Sequence, residues 1–322
     1  MSLALTAAFF RSRTASNRNP IIDAGRGAAL VAMFAYHLTW DLALLGFIDE
    51  DVPAAPALRA YAHGVAWTFL ALVGVSLVMA TRTGFRPRPF LRRLCVIGAA
   101  AAAVTLATLF LFRDYFIFFG ILHCIAVSSV LALPFLAAPL WLVAAAAVAV
   151  VVAPLLVALP LFDAPALWWV GLGTHAPPTY DYAPLAPGFG MVLAGVVIAR
   201  LVRPGGASGR SFPGWLRPLA WGGRHSLLVY LVHQPIFLGL LYLVAQMTGT
   251  HARTAHDVFL DACRSNCLKT APAALCERDC VCSATRLEAS PLWPKVFAEH
   301  LLPGDRDAIL AIEMSCTGEP PP

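Results

Sequence analysis

The sequence predicts an all-α polytopic membrane protein: about seven transmembrane helices followed by a small cysteine-rich, helical region outside the membrane. Three observations predict it. The 322 residues are 59% hydrophobic and only 13% charged, against about 25% charged in an ordinary soluble domain. Apolar runs near the ~20 residues that cross a bilayer recur as far as residue 248. Beyond that point the chain turns polar and holds six of its eight cysteines. The expected organisation is a cytoplasmic segment over 1–20, a helix bundle over 21–248 and an extracytoplasmic tail over 249–322.

The N-terminal segment carries Arg11, Arg13 and Arg18 after the short apolar run Leu3–Phe10. A cleaved signal places its charge before the apolar run, so this order argues against one. The first span covers residues 22–48 and is followed by the acidic turn Asp49-Glu50-Asp51. The second runs from about Tyr61 to Ala80 and leads into Arg82, Arg86, Arg88, Arg92 and Arg93. The third (about Leu94–Phe112) ends at Arg113-Asp114. The fourth (about Phe116–Leu136) and fifth (about Leu140–Leu161) are joined by a short turn with proline. A loop over 162–184 holds Trp168, Trp169, His175 and Asp181. The sixth span, Leu185–Val202, opens into a second basic loop, and the seventh covers Ser226–Met247.

Cytoplasmic loops collect Lys and Arg. With the N-terminus inside, fourteen arginines fall on that side and two, Arg59 and Arg113, on the other, up to the tail. The expected location is therefore a bacterial inner membrane, with the N-terminus cytoplasmic and the C-terminus periplasmic. The net charge of +5 follows from this asymmetry and implies membrane lipids, not nucleic acid, as partners.

The tail agrees on orientation. Cys263-x3-Cys267 and Cys276-x3-Cys280 each place two cysteines one turn apart on a helix face. Two antiparallel helices would be stapled as Cys263–Cys280 and Cys267–Cys276, leaving Cys282–Cys316; this is one of fifteen pairings open to six cysteines. Disulfides belong to an oxidising compartment such as the periplasm. Zinc is the competing reading, but the spacings fit its usual ligand sets poorly and His256 stands alone nearby, so no metal is expected. Cys95 and Cys124 lie in spans and read as packing residues.

Within the first span, ionisable groups are expensive in hydrocarbon and mark a functional interior. Asp23 and Arg26 stand at its start, and His37 and Asp41 lie well inside. Arg26 and His37 are separated by roughly 16 Å along a helix. His37 and Asp41, at i and i+4, share a face, so the carboxylate is placed to orient and charge-stabilise the imidazole. Two polar residues packed between helices would give the same pattern.

At Asp23-x-x-Arg26-Gly27 and Arg26-x10-His37 the chain resembles membrane acyltransferases of the acyltransferase 3 type. Over about residues 20–245 it is more closely similar to bacterial relatives of the heparan-α-glucosaminide N-acetyltransferase catalytic domain. Asp181-Tyr182-Ala183-Pro184-Leu185-Ala186-Pro187, Gly223-Arg224-His225-Ser226-Leu227 and Tyr230-Leu231-Val232-His233-Gln234-Pro235 carry the resemblance, with Gly120-Ile121-Leu122-His123 a weaker match. The chain departs from the pattern at Gly188, where a tryptophan is expected.

The resemblance implies transfer of an acyl group, acetyl in the first instance, from cytoplasmic acyl-CoA to a carbohydrate or lipid-linked acceptor across the membrane. His37 would then be general base or acyl carrier, with Asp41 supporting it and Arg26 placing the donor. Arg88, Arg92 and Arg224 would hold CoA phosphates as guanidinium groups do, although Arg88-x3-Arg92 is also ordinary positive-inside charge. His123, Asp181, Tyr182, His233 and Gln234 would line the acceptor side. Trp168-Trp169 and Tyr180 could form a platform for a sugar ring, or could be interfacial aromatics. Two other functions suit the residues: a transporter with an intramembrane Arg/His/Asp pathway, for which inverted repeats would speak and none is visible, and a scaffold that displays the tail.

Overall fold

The computed structural model describes residues 19–49, 51–111, 113, 115–202, 212–248, 255–296 and 303–317. Nearly all of the expected N-terminal segment with its three arginines, and Glu50, Asp114, Arg203 and Arg210, lie outside the described residues. Among the described residues there is no strand. The chain divides into two compact units, Met1–Asp41 with Asp51–Leu240, and Leu42–Glu50 with Leu241–Pro322.

The first unit is a helix bundle. Its helices are α1 (Pro20–Leu44), α2 (Pro56–Thr81), α3 (Pro87–Leu111), α4 (Ile121–Leu131), α5 (Leu140–Leu156), α6 (Leu185–Val202), the short α7 (Arg217–Arg224) and α8 (Ser226–Thr248), which runs on into the second unit. Proline opens α1, α2 and α3, where its missing N–H costs nothing and its fixed φ suits the first turn. At α1, Asn19 completes the start: its Oδ1 accepts the Ile21 N–H at 3.0 Å, the usual service of an N-cap asparagine.

Five of these helices, α1, α2, α3, α6 and α8, are long and apolar enough to cross a membrane. The chain is a membrane protein. The seven apolar segments stand where the sequence places them, but two are shorter than expected. The fourth is helical only over Ile121–Leu131, about 16 Å at 1.5 Å per residue against a ~30 Å hydrocarbon core. Residues 115–119 are instead held alongside 179–183: Tyr180 N–H donates to the Tyr115 carbonyl and Ala183 N–H to the Phe119 carbonyl, both at 3.1 Å. Hydropathy could not separate this aromatic segment from a helix. The fifth ends at Leu156, where Val157 turns to extended backbone. The third begins earlier than expected, so Arg88 and Arg92 stand on the first turns of α3 and not in a loop.

α6 is the central helix. Half of its apolar window is buried, against 6% for α8. Val192 of α6 joins Leu70, Val73 and Leu77 of α2, with Phe119 and Cys124, in one core cluster. Leu193 and Val196 join Val143 and Ala147 of α5 in another. Small residues allow this closeness, as between packed membrane helices. Gly188 shows it best. A Cβ there would lie 2.7 Å from the Cys124 sulfur and 3.3 Å from Leu70 Cδ1, so a tryptophan cannot occupy the position in this packing. Outward-facing apolar side chains such as Phe110, Trp141 and Leu155 are 86%, 72% and 82% exposed, as a lipid-facing surface requires.

The second unit contains α9 (Ala255–Cys267), α10 (Ala273–Glu288) and α11 (Pro303–Thr317). Cys263–Cys280 and Cys267–Cys276 join α9 to α10, and Cys282–Cys316 joins α10 to α11. Phe259, Leu260, Ala284, Leu287 and Ile309 form a core around Cys280.

Candidate functional site

Two groups of polar residues gather along α1, and each draws on the far end of the bundle sequence. The first lies at the N-terminal end of the helix. Asp23, its side chain 4% exposed, meets Arg26 Nη1 at 3.3 Å and Arg224 Nε at 3.9 Å. Arg26 Nη2 also donates to the Ser76 hydroxyl, tying in α2. The approach depends on glycine. A Cβ at Gly27 would run into the Leu219 carbonyl, and one at Gly223 into the Asp23 carbonyl. Asp-x-x-Arg-Gly and Gly-Arg, nearly 200 residues apart in sequence, are therefore two sides of one backbone contact. Two guanidinium groups thus face one carboxylate, and Arg26 and Arg224 remain 24% and 46% exposed.

The second group lies where α1 passes α8. The rings of His37 and His233 are 5.0 Å apart between centroids. Phe34 stacks on His233 at 5.2 Å, and Phe237 meets its edge at 6.0 Å. One turn on, Gln234 Nε2 donates to Asp41 Oδ1 at 2.5 Å. Asp41, 2% exposed, thus bonds Gln234 and not His37, which the i,i+4 spacing had offered as its partner; the rings beside His37 are those of His233 and Tyr36. His233 Nδ1 lies 2.5 Å from the Tyr230 carbonyl, an acceptor only, so Nδ1 carries the proton and donates. Its Nε2, Asp41 Oδ2 and Gln234 Oε1 are buried without a hydrogen-bond partner. Buried polar atoms are normally paired, so three orphans on two facing helices mark a place built for something else.

Among the remaining site candidates, His123, Asp181 and Tyr182 are engaged in hydrogen bonds that hold the bundle and its loop. His123 caps its own helix. Its Nδ1 accepts the Gly120 N–H at 3.3 Å, so its other nitrogen carries the proton toward the Thr105 hydroxyl, also at 3.3 Å. That hydroxyl in turn donates to the Ile117 carbonyl at 2.6 Å. Asp181 Oδ2 accepts the Ile121 N–H at 3.0 Å and caps α4 from the loop; burial pushes its carboxyl above the usual range. Tyr182 donates its hydroxyl to the Trp168 carbonyl at 2.6 Å, and burial raises it to about 12. The Trp168 indole donates to the Asp163 carbonyl. Trp168 and Tyr182 therefore brace this loop, while Tyr115 and Tyr180, 46% and 61% exposed, set their rings 5.7 Å apart at its surface. The Thr174 hydroxyl and backbone hold the Asp163 carboxyl below the usual range. Arg88 and Arg92 are exposed.

Sequence reasoning missed Ser76 and the Phe34–Phe237 clasp. A serine within an apolar span was the available signal for the first. Nothing in spacing singles out the second.

The family model described as heparan-alpha-glucosaminide N-acetyltransferase, catalytic, matches residues 18–235, which is more than half of the chain and includes both polar groups. No curated protein and no solved structure matches the chain.

Proposed function

The chain belongs to the heparan-α-glucosaminide N-acetyltransferase catalytic family, and from that premise we propose that it moves an acyl group, acetyl in the first instance, from cytoplasmic acyl-CoA to a glycan or lipid-linked acceptor on the periplasmic side. One observation carries the reading: His37 and Asp41 meet His233 and Gln234 in a buried group with three unpartnered polar atoms, about 16 Å along α1 from the Asp23–Arg26–Arg224 cluster.

That separation suits an extended donor. The cationic end offers two partly exposed guanidinium groups to CoA phosphates, bidentate where geometry allows. Asp23 and Ser76 fix the Arg26 fork so that little side-chain entropy is left to lose. Arg88 and Arg92, at the start of α3, add positive charge to the same expected cytoplasmic face. An extended pantetheine arm then reaches the histidines. His37 is the chemical residue, as general base toward the acceptor's hydroxyl or amine or as acyl carrier. The Phe34 and Phe237 rings pack against His233 and present apolar surface where water would otherwise compete as acceptor.

The test is binding of CoA and acetyl-CoA to detergent-purified protein, wild type beside Arg26→Ala and His37→Ala. The expected result is saturable binding that Arg26→Ala weakens at least tenfold and His37→Ala leaves in place, with turnover lost in the latter. No binding by folded wild type overturns acyl transfer and returns the same residues to a polar transport path.

A further inference from the structure

We infer that His233 is the positioning residue of His37: its unpartnered Nε2 accepts a ring N–H of His37 and so fixes which nitrogen of His37 faces the reaction. The inference rests on the acyl-transfer reading above and goes beyond it by giving His37 a partner that the sequence assigns to Asp41.

The argument begins at Tyr230. Its carbonyl takes the Nδ1–H of His233 at 2.5 Å, so the Nε2 lone pair is left facing away from that bond with nothing to accept. His233 is 6% exposed, and water does not reach this nitrogen in bulk. The Phe34 face and the Phe237 edge hold the ring, so it cannot turn to find another donor. The neighbouring ring that carries an N–H is His37, with centroids 5.0 Å apart and planes tilted by 60°. Catalytic hydrogen bonds often tighten only when substrate is bound, and a small rotation of the less buried His37 closes this one.

Once His37 donates one nitrogen to His233, its other nitrogen must carry the lone pair. A general base or nucleophile needs that lone pair free. In the base form, the acceptor's O–H or N–H proton moves to this nitrogen of His37 as the acceptor atom bonds to the acyl carbon. The C–S bond breaks and sulfur leaves with the electron pair. His233 shares the positive charge by taking the far ring proton, and the proton returns through His37 to the CoA thiolate, leaving both rings neutral.

The experiment compares acetyl-CoA turnover by purified full-length wild type, His233→Phe and His233→Gln, with glucosamine as the probe acceptor and acetyl-CoA affinity measured beside it. Phenylalanine keeps the ring and its stacking but offers no lone pair; glutamine offers a carbonyl oxygen close to where Nε2 stood. The expected result is turnover lowered about 100-fold in His233→Phe, within the range for a lost proton-handling group, at least tenfold recovered in His233→Gln, and acetyl-CoA affinity unchanged within twofold in both. His233→Phe active within threefold of wild type, or the two variants equally impaired while both fold and bind donor, would overturn the inference. Wild type that binds acetyl-CoA without turning it over would instead overturn the acyl-transfer reading beneath it.

Discussion

Gln234 donates its side-chain amide to Asp41 at 2.5 Å, joining α8 to α1 across 193 residues of chain. The bond uses one carboxylate oxygen and leaves the other, with the amide carbonyl, buried and unpartnered. A structure concerned only with stability would not keep both. Replacing a buried polar pair with well-packed apolar residues is often neutral or stabilising, whereas removing one partner strands the other.

The single substitutions Asp41→Leu and Gln234→Leu should therefore each cost about 1–3 kcal/mol, the penalty for an unsatisfied buried group. The double substitution should cost less than the sum of the two. A double-mutant cycle on unfolding in detergent reads this directly. Acyl transfer should be lost in all three variants if the orphaned oxygens serve substrate. A double variant that is both stable and fully active would assign the pair to packing.

Gly27 and Gly223 bring the cationic cluster together, and the consequence is open to test. Gly223→Ala places a methyl group against the Asp23 carbonyl, and overpacking of this kind typically costs about 1–3 kcal/mol. Pushing α7 away separates Arg224 from Asp23 and Arg26. Gly223→Ala should thus weaken CoA binding by tenfold or more, while Gly222→Ala, where a Cβ meets nothing within 4 Å, should not. Titration of both variants with CoA separates a local effect from a general one.

How far the sequence showed this arrangement differs between the two groups. The seven apolar segments were legible because hydrophobic runs follow directly from the bilayer's thickness, and the tail's staples because Cys-x3-Cys repeats one helical turn. The partners of Asp41 and His37 were not. An i,i+4 pair is what a single helix shows, but residues four apart on one face can both turn to a neighbouring helix, and His233 and Gln234 are there to meet them. His123 and Asp181 read as site residues for the opposite reason. A polar side chain in apolar sequence can also serve the backbone, and the first N–H groups of α4, which have no partner within the helix, are met by His123 and Asp181.

Asp181 gives a prediction with a sign. Burial raises its carboxyl above the ordinary carboxylate value, so the proton is held more tightly in the folded protein. The stability this group contributes is complete below the unfolded pKa and is lost as pH rises through the folded one. Asparagine keeps an oxygen for the Ile121 N–H without a charge to bury. Asp181→Asn should then match or exceed wild type in melting temperature at pH 7, with the advantage vanishing near pH 3.5. Asp181→Ala should fall below both by about 1 kcal/mol, as lost caps do. Unimpaired acetyl-CoA turnover in Asp181→Asn would confirm a cap; loss of turnover at full stability would restore it to the acceptor side.

The tail offers the last test, because its three disulfides close loops of different length. Cys282 and Cys316 are 34 residues apart and Cys267 and Cys276 only nine. In the chain-entropy account, closing the longer loop contributes about 1 kcal/mol more. Cys282→Ala with Cys316→Ala should accordingly release α11 to limited proteolysis more readily than Cys267→Ala with Cys276→Ala releases α9, with fragments identified by mass spectrometry. Both pairs belong to the second unit, and His37, Asp41, His233 and Gln234 to the first. Both variants, and a chain ending at residue 249, should keep acetyl-CoA turnover within about threefold of wild type, a margin below the tenfold that 1.4 kcal/mol represents. Turnover that falls with the tail while CoA binding persists would instead give the stapled helices a part in presenting the acceptor.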